Sequence, residues 1–189
     1  MRSFLTALVL ILTLQSWVKA DIFKFQIEGM SIGDSALNFF SEKEIKNNSM
    51  DYYRDKTFTP VQNDKYPFFK IYDAVDFDFR TGDKGYIIQS ISGVLYFDKN
   101  IQDCYDKMDS LILDIKKKIK YIKHHSKKEA KNQADKSGKS KFTETRFDLK
   151  NGYIGIICYD YSNEQGGQDH LSVFVDTKEF YEWLAGDVY

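Results

Sequence analysis

The most strongly patterned stretch of the chain runs from residue 86 to residue 125. Its first part, 86–97 (YIIQSISGVLYF), is rich in β-branched and aromatic residues and predicts a strand, which a turn at 98–100 follows. Beyond that turn, apolar residues recur at spacings of three and four, the pattern of one helical face: Ile101, Cys104, Tyr105, Met108, Leu111, Ile112, Ile115, Ile119 and Ile122. A helix with such a stripe has to cover an apolar sheet, so we expect one domain built around this helix.

Shorter patterns on both sides of the helix predict the rest of the domain. Strands are expected over the following ranges: 68–80, 143–149, 153–161 and 171–175. Residues 21–28 predict a strand or an extended segment, and 51–67 a loop with one irregular strand around 56–61. Short helices are expected after Asp34, after Ser41, which forms a Ser-x-x-Glu capping box with Glu44, and after Asp176. Hairpin-linked strands and segregated helices predict an α+β fold, with an antiparallel sheet of about five to six strands packed against one long amphipathic helix and short terminal helices.

Residues 126–141 (SKKEAKNQADKSGKSK) contain no apolar residue larger than Ala, which predicts a mobile, lysine-rich loop. A basic loop can dock on anionic lipid headgroups or on an acidic partner. The candidate contacts are the lysines of this segment: Lys127, Lys128, Lys131, Lys136, Lys139 and Lys141. A solvated surface without a partner is the alternative, and the pattern leaves both open.

Residues 1–20 have the layout of a secretory signal peptide. Arg2 supplies positive charge, an apolar run occupies 3–17, and 18–20 (VKA) fits the small-x-small pattern of a cleavage site. An uncleaved membrane anchor is the alternative, but the run is about 15 residues, shorter than the ~20 that a spanning helix needs. We therefore expect cleavage at that site, a periplasmic or secreted location, and one domain over 21–189 without a transmembrane segment.

Export would change how the two cysteines are interpreted, because disulfides persist in oxidising compartments. Cys104 lies on the apolar stripe of the long helix, and Cys158 shares a strand face with Ile154 and Ile156. Both cysteine side chains should therefore point into the interface between helix and sheet. We expect a Cys104–Cys158 disulfide; two buried free thiols, which behave as small hydrophobic side chains, are the alternative.

The charge balance narrows the classes of partner. The formal net charge is -1, so no global field favours nucleic acid or a membrane. The predicted strand 68–80 has an acidic outer face with Asp76 and Asp78, and Asp73 lies on the same strand. Asp76 and Asp78 could hold a cation weakly, although Arg80 stands where an EF-hand loop needs an oxygen ligand. A solvated outer face is the alternative.

The sequence lacks residues that a P-loop, a zinc site or a nucleophile elbow would need. Residues 138–140 (GKS) resemble the end of a phosphate-binding P-loop, but Gln133 stands where its first Gly belongs. The three histidines have no spacing that converges on zinc, and no Gly-x-Ser-x-Gly elbow occurs. We therefore expect no cofactor, metal or catalytic residue, and a non-catalytic binding module whose partner is an envelope protein or an anionic surface. The alternatives are an enzyme that uses the carboxylates of Asp73, Asp76 and Asp78, and a structural component of the cell envelope.

Several short motifs, taken together, resemble a family of small exported bacterial proteins of unassigned activity: 27–35 (IEGMSIGDS), 91–93 (ISG), 103–105 (DCY), 135–140 (DKSGKS), 158–160 (CYD) and 177–184 (TKEFYEWL). The likeness covers most of the mature chain. It implies export and pairing of the two cysteine-containing segments, and it implies no activity. More distantly, 29–34 (GMSIGD) and the short helices after it are similar to the helix-helix-sheet module of outer-membrane assembly lipoproteins and β-lactamase-inhibitor-like proteins. Position 21 is Asp, so the lipid-bearing Cys of those lipoproteins is missing.

Overall fold

The structure, a computed structural model, describes residues 22–64, 66–97, 100–132, 135–186 and 188. The predicted signal peptide lies outside the described residues. Within them, seven strands form one antiparallel sheet: β1 Phe58–Asp64, β2 Ala74–Arg80, β3 Ile88–Tyr96, β4 Lys123–Lys131, β5 Lys141–Asp148, β6 Gly152–Asp160 and β7 His170–Thr177. The described helices are α1 Glu42–Asn48, α2 Ile101–Lys118 and α3 Lys178–Leu184, with short 3₁₀ helices at Ile22–Lys24 and Ala36–Asn38. The spatial order of the strands is β1-β2-β3-β7-β6-β5-β4.

The α+β class and the antiparallel sheet are confirmed, but the sheet has seven strands, more than expected. The strand that no sequence pattern predicted is β4. Helix α2 ends at Lys118, and Ile119 caps it, so the helix stops well before residue 125. The prediction of a loop is therefore wrong for residues 126–131, which belong to β4 at one edge of the sheet, and for Lys141, where β5 begins.

Tertiary contacts explain why the chain leaves the helix although its apolar spacing continues. Strand β4 pairs with β5, which satisfies its backbone hydrogen-bonding groups on one side. The rings of Tyr121 and His124 pack against Phe147, a fully buried core residue. Together these contacts favour the extended conformation, because tertiary context readily overrides helix propensity. Ile122, predicted to lie on the helical stripe, is instead 73% exposed.

The two sides of the sheet are covered differently. Helix α2 lies against β6 and β7 on one side, here called the helix side, where the main hydrophobic core includes Phe77, Ile91 and Ile154. A disulfide joins Cys104 of α2 to Cys158 of β6, with 6.0 Å between the two Cα atoms. Both cysteines are fully buried, so the predicted pairing is confirmed and it attaches α2 to the helix side of the sheet.

The opposite side, here called the open side, is covered by α3 at one end. Thr177 caps this helix by accepting a hydrogen bond from the Phe180 backbone N–H. Under α3 a second aromatic cluster forms, in which the Phe58 and Phe180 rings are 5.1 Å apart and the Tyr53 and Trp183 rings 4.8 Å apart. Beyond α3, most open-side side chains of the central strands β6 and β7 are only half-buried.

Two predicted strand segments adopt other conformations. The described chain begins with a 3₁₀ helix at Ile22–Lys24, where a strand or an extended segment over 21–28 was expected. The strand predicted over 68–80 begins only at Ala74, because the carboxylate of Glu28 accepts hydrogen bonds from the backbone N–H groups of residues 70, 71 and 72. Those amides therefore cannot pair with a neighbouring strand.

Candidate functional site

Four ring side chains form a continuous row across adjacent strands of the open side. Tyr96 lies directly opposite His170, His170 opposite Tyr159, and Tyr159 opposite Phe142. The successive ring centroids are 6.0, 4.6 and 6.1 Å apart. All four side chains are half-buried, so part of each ring faces solvent. We call Tyr96, His170, Tyr159 and Phe142 the aromatic row.

Two further rings extend this surface. Tyr161 stacks beside Tyr159, with 6.0 Å between the ring centroids. Phe174 lies against the backbone of its cross-strand partner Gly155, where an added Cβ would come within 2.0 Å of its ring. Because Gly155 has no side chain, the Phe174 ring can lie on the sheet and remain only half-buried. The open side therefore presents ring surface at Tyr161, beside the aromatic row, and at Phe174, which the position of Ser172 separates from it in the register.

Three carboxylates border the Tyr96 end of the aromatic row: Asp64 of β1, Asp76 of β2 and Asp73. We call them the acidic margin. The Asp73 carboxylate accepts a hydrogen bond from the Tyr96 backbone N–H at 2.9 Å. Burial raises the pKa of the Tyr96 hydroxyl, and the negative charges of Asp64, Asp76 and Asp73 raise it further. Burial and the neighbouring charge of Asp64 raise the pKa of Asp76 to about 7.

Two other carboxyl groups are buried under α3. Asp78 and Asp176 are 8% and 3% exposed, and Ser90 lies between them, directly opposite each in the strand register. The Tyr53 hydroxyl donates to Asp78 Oδ1 at 3.3 Å. Burial raises the pKa of Asp78 well above its usual value, and the nearby charge of Asp176 adds to the effect. Burial raises the pKa of Asp176 to about 7.

The surroundings of Asp76 and Asp78 change the interpretation of the acidic face predicted for 68–80. The expectation of a solvated outer face is wrong for Asp78, because α3 and Tyr53 shield it from solvent. Weak cation binding at Asp76 stays a prediction. Asp73, Asp76 and Asp78 do not converge on one point, since Asp73 is bound to the backbone of β3 and Asp78 lies under α3. Among the described residues, no group of three or more His, Cys, Asp or Glu is placed to hold a metal ion.

The predicted anion-contact lysines are spread along β4, the segment after it and the first position of β5. Several of them have carboxylate partners: Lys127 lies 2.7 Å from Asp109 of α2, Lys141 lies 3.2 Å from Glu129, and Lys139 pairs with Glu164. Lysines along an edge strand also discourage pairing with another chain. The remaining members of the set, Lys128, Lys131 and Lys136, are exposed.

A cavity of about 550 Å³ lies beside the irregular pairing of β4 and β5. Its lining includes Lys123, Lys128, Arg146 and Glu144. Arg146 is held by Asp148, whose Oδ1 accepts a hydrogen bond from Nε at 3.0 Å. Basic residues therefore outnumber acidic ones in the lining of the cavity. We call β4 together with this cavity the basic edge.

Comparison with family models, with curated proteins and with solved structures found no match for this chain. The resemblance to exported bacterial proteins thus stays a prediction.

The aromatic row was not predicted from the sequence. Its members stand at alternating strand positions, as in 157–161 (ICYDY), and this alternation shows which side chains share a face. The row itself depends on the non-consecutive pairing of β3 with β7, which places Tyr96 beside His170. Short-range patterns do not specify that pairing.

Proposed function

We propose that this protein is an exported, non-catalytic binding protein that contacts its partner through the open side of the sheet. The observation that carries the proposal is the aromatic row, in which four half-buried rings follow one another across β3, β7, β6 and β5. Aromatic side chains are enriched at protein interfaces, because they bury a large area at a small cost in conformational entropy.

Export is supported by two features of the chain. The pattern of residues 1–20 is typical of a signal peptide. The Cys104–Cys158 disulfide suits an oxidising compartment such as the periplasm or the extracellular space. No helix among the described residues is long and apolar enough to cross a membrane.

A binding role is favoured over catalysis by the geometry of the acidic residues. An enzyme would need carboxylates that converge in a cleft that excludes water. Asp76 combines a pKa raised to about 7 with partial exposure. The described cavity lies beside β4 and β5, and its lining does not include Asp76.

Site-specific photo-crosslinking in the cell that makes the protein tests the binding surface. A photoreactive amino acid replaces Ser172, which lies on the open side next to the aromatic row, or Gln102, which is exposed on α2. We expect adducts of discrete size from position 172 and none of those adducts from position 102. Identical patterns from the two positions, or none from either, would refute binding through the open side.

The intact mass of the exported protein tests the compartment. We expect a chain that begins at Asp21 and whose two cysteines react with an alkylating reagent only after reduction. A mass that includes Met1, with thiols that alkylate freely, would contradict export.

The basic edge supports a second candidate function, docking on an anionic lipid surface. The exposed Lys128 lines the cavity and Lys131 lies on the same strand. Co-sedimentation with vesicles of anionic lipid should then fall for Lys128→Ala/Lys131→Ala, but not for the charge-matched control Lys24→Ala/Lys43→Ala. Equal sedimentation of both variants would exclude the basic edge as a lipid-binding surface. These substitutions leave β4 in place, which deletion of residues 126–141 would not.

A further inference from the structure

The open side has an uneven charge distribution around its exposed rings. Asp64 is exposed and Asp76 half-buried beside Tyr96. Among the described residues neither Asp64 nor Asp76 forms an ion pair, whereas the surface lysines of β4 and the segment after it include several that are paired. Burial raises the pKa of Asp76, and the nearby negative charge of Asp64 raises it further. A cation bound between the two carboxylates would offset this negative charge.

The rings next to these carboxylates are also suited to a cation. The face of an aromatic ring carries partial negative charge and attracts ammonium and guanidinium groups within about 6 Å of the centroid. Phe174 packs on Gly155 and is half-buried, so part of its ring is exposed, and Ser92 separates it from Asp76 in the strand register. Burial lowers the pKa of His170, which favours its neutral form and leaves the aromatic row without a competing positive charge there.

We propose that the open side binds an extended, basic polypeptide segment of a partner protein, whose Lys or Arg side chains lie over the aromatic row and contact Asp64 and Asp76. This proposal rests on the proposed function, because it specifies the partner of the same surface. Electrostatic complementarity of this kind sets specificity and the rate of association.

The dimensions of the surface favour a polypeptide over a small ammonium compound. The aromatic row crosses four adjacent strands, from β3 to β5, and so spans about 14 Å at the usual spacing between strands. A single ammonium group would contact only one or two of these rings. An extended chain covers this length with about four or five residues, and places alternate side chains toward the sheet.

Fluorescence anisotropy with a short, labelled peptide of alternating Gly and Lys tests the proposal. The full exported chain should bind this peptide and should not bind peptides of the same length that alternate Gly with Glu or Gly with Ser. At pH 8, above the pKa of about 7 of Asp76, Asp64→Asn/Asp76→Asn should weaken binding about tenfold, since it removes two charged contacts. Tyr96→Leu, which keeps apolar bulk but removes the ring, should also weaken it severalfold.

The matched control is Asp106→Asn/Asp114→Asn, which makes the same charge change at exposed positions of α2. It should bind the Lys peptide like the parent protein. The proposal is overturned if the Lys peptide does not bind, if the two double variants bind it equally, or if the Glu or Ser peptide binds as well as the Lys peptide. If the peptide test fails in one of these ways, the crosslinking at position 172 still shows whether the open side binds another kind of partner. The proposal of a basic partner can therefore fail while the proposal of a binding surface stands.

Discussion

The ring of Phe174 lies directly on the backbone of Gly155, its partner in the pairing of β6 and β7. The φ of Gly155 is not positive, so its backbone conformation does not require Gly. Its absence of a side chain is what lets a large ring occupy the middle of the open side. This pair therefore links a single sequence position to the shape of the candidate binding surface.

We predict that Gly155→Ala displaces the Phe174 ring and lowers the free energy of unfolding by about 1–3 kcal/mol. The added methyl group would overlap the ring, at 2.0 Å from its Cζ. In a double-mutant cycle with Phe174→Ser, measured by urea denaturation, the second substitution should recover part of the loss because the ring is gone. Additive effects of the two substitutions would show that the ring does not rest on Gly155.

The buried carboxyl of Asp176 should make stability depend on pH. Its pKa is raised to about 7 in the folded protein, above the value near 4 of an unfolded chain. The folded state therefore holds a proton that the unfolded state releases, so the contribution of Asp176 to stability is present at low pH and is lost as the pH rises from about 4 to about 7. Asp176→Asn should be more stable than the parent at pH 8, by roughly 2–4 kcal/mol, and equally stable near pH 4.

Thermal or urea unfolding of both proteins across this pH range measures the difference. Asp114→Asn, at an exposed position of α2, serves as the matched control and should follow the parent curve. If the stability difference between Asp176→Asn and the parent is the same at all pH values, the pKa of Asp176 is not raised in the folded protein.

Reduction of the Cys104–Cys158 disulfide should destabilise the protein by about 4 kcal/mol, because the bond closes a loop with a sequence separation of 54 residues. Urea denaturation with and without reductant measures this change. Cys104→Ala/Cys158→Ala should behave like the reduced parent protein or be less stable, and it should not respond to reductant. An unchanged midpoint of the parent after complete reduction would show that the cross-link does not limit the unfolded chain.

The sequence predicts best where one local contact determines the structure. The capping box of Ser41 and Glu44 is present with both of its hydrogen bonds, and α1 begins where the pattern places it. The disulfide was also predictable, because each cysteine occupies an apolar position whose direction follows from helix or strand periodicity. The capping box lies within one helix, and the disulfide joins two elements whose apolar positions are clear in the sequence.

Prediction fails where distant residues decide the conformation. Ile122 fits the helical stripe, yet the segment that follows it pairs with β5 and forms an edge strand. Asp78 alternates like a solvent-facing residue, and only the packing of Tyr53 and α3 buries it. The aromatic row likewise depends on the pairing of β3 with β7, two strands that are far apart in the chain.

Glu28 illustrates the same dependence and gives a last prediction. Burial raises the pKa of its carboxyl group, but hydrogen bonds from the backbone N–H groups of Lys70, Tyr72 and Ile71 outweigh this and lower the pKa overall. Glu28→Gln removes the charge that these donors stabilise and should lower the free energy of unfolding by about 1–3 kcal/mol. The control Glu182→Gln, at an exposed position of α3, should change the free energy of unfolding little. In Glu28→Gln, hydrogen exchange should also become faster at residues 70–72, because the amide oxygen of Gln is a weaker acceptor. If neither the exchange at these amides nor the stability changes, the hydrogen bonds of the Glu28 carboxylate do not stabilise the conformation of residues 70–72.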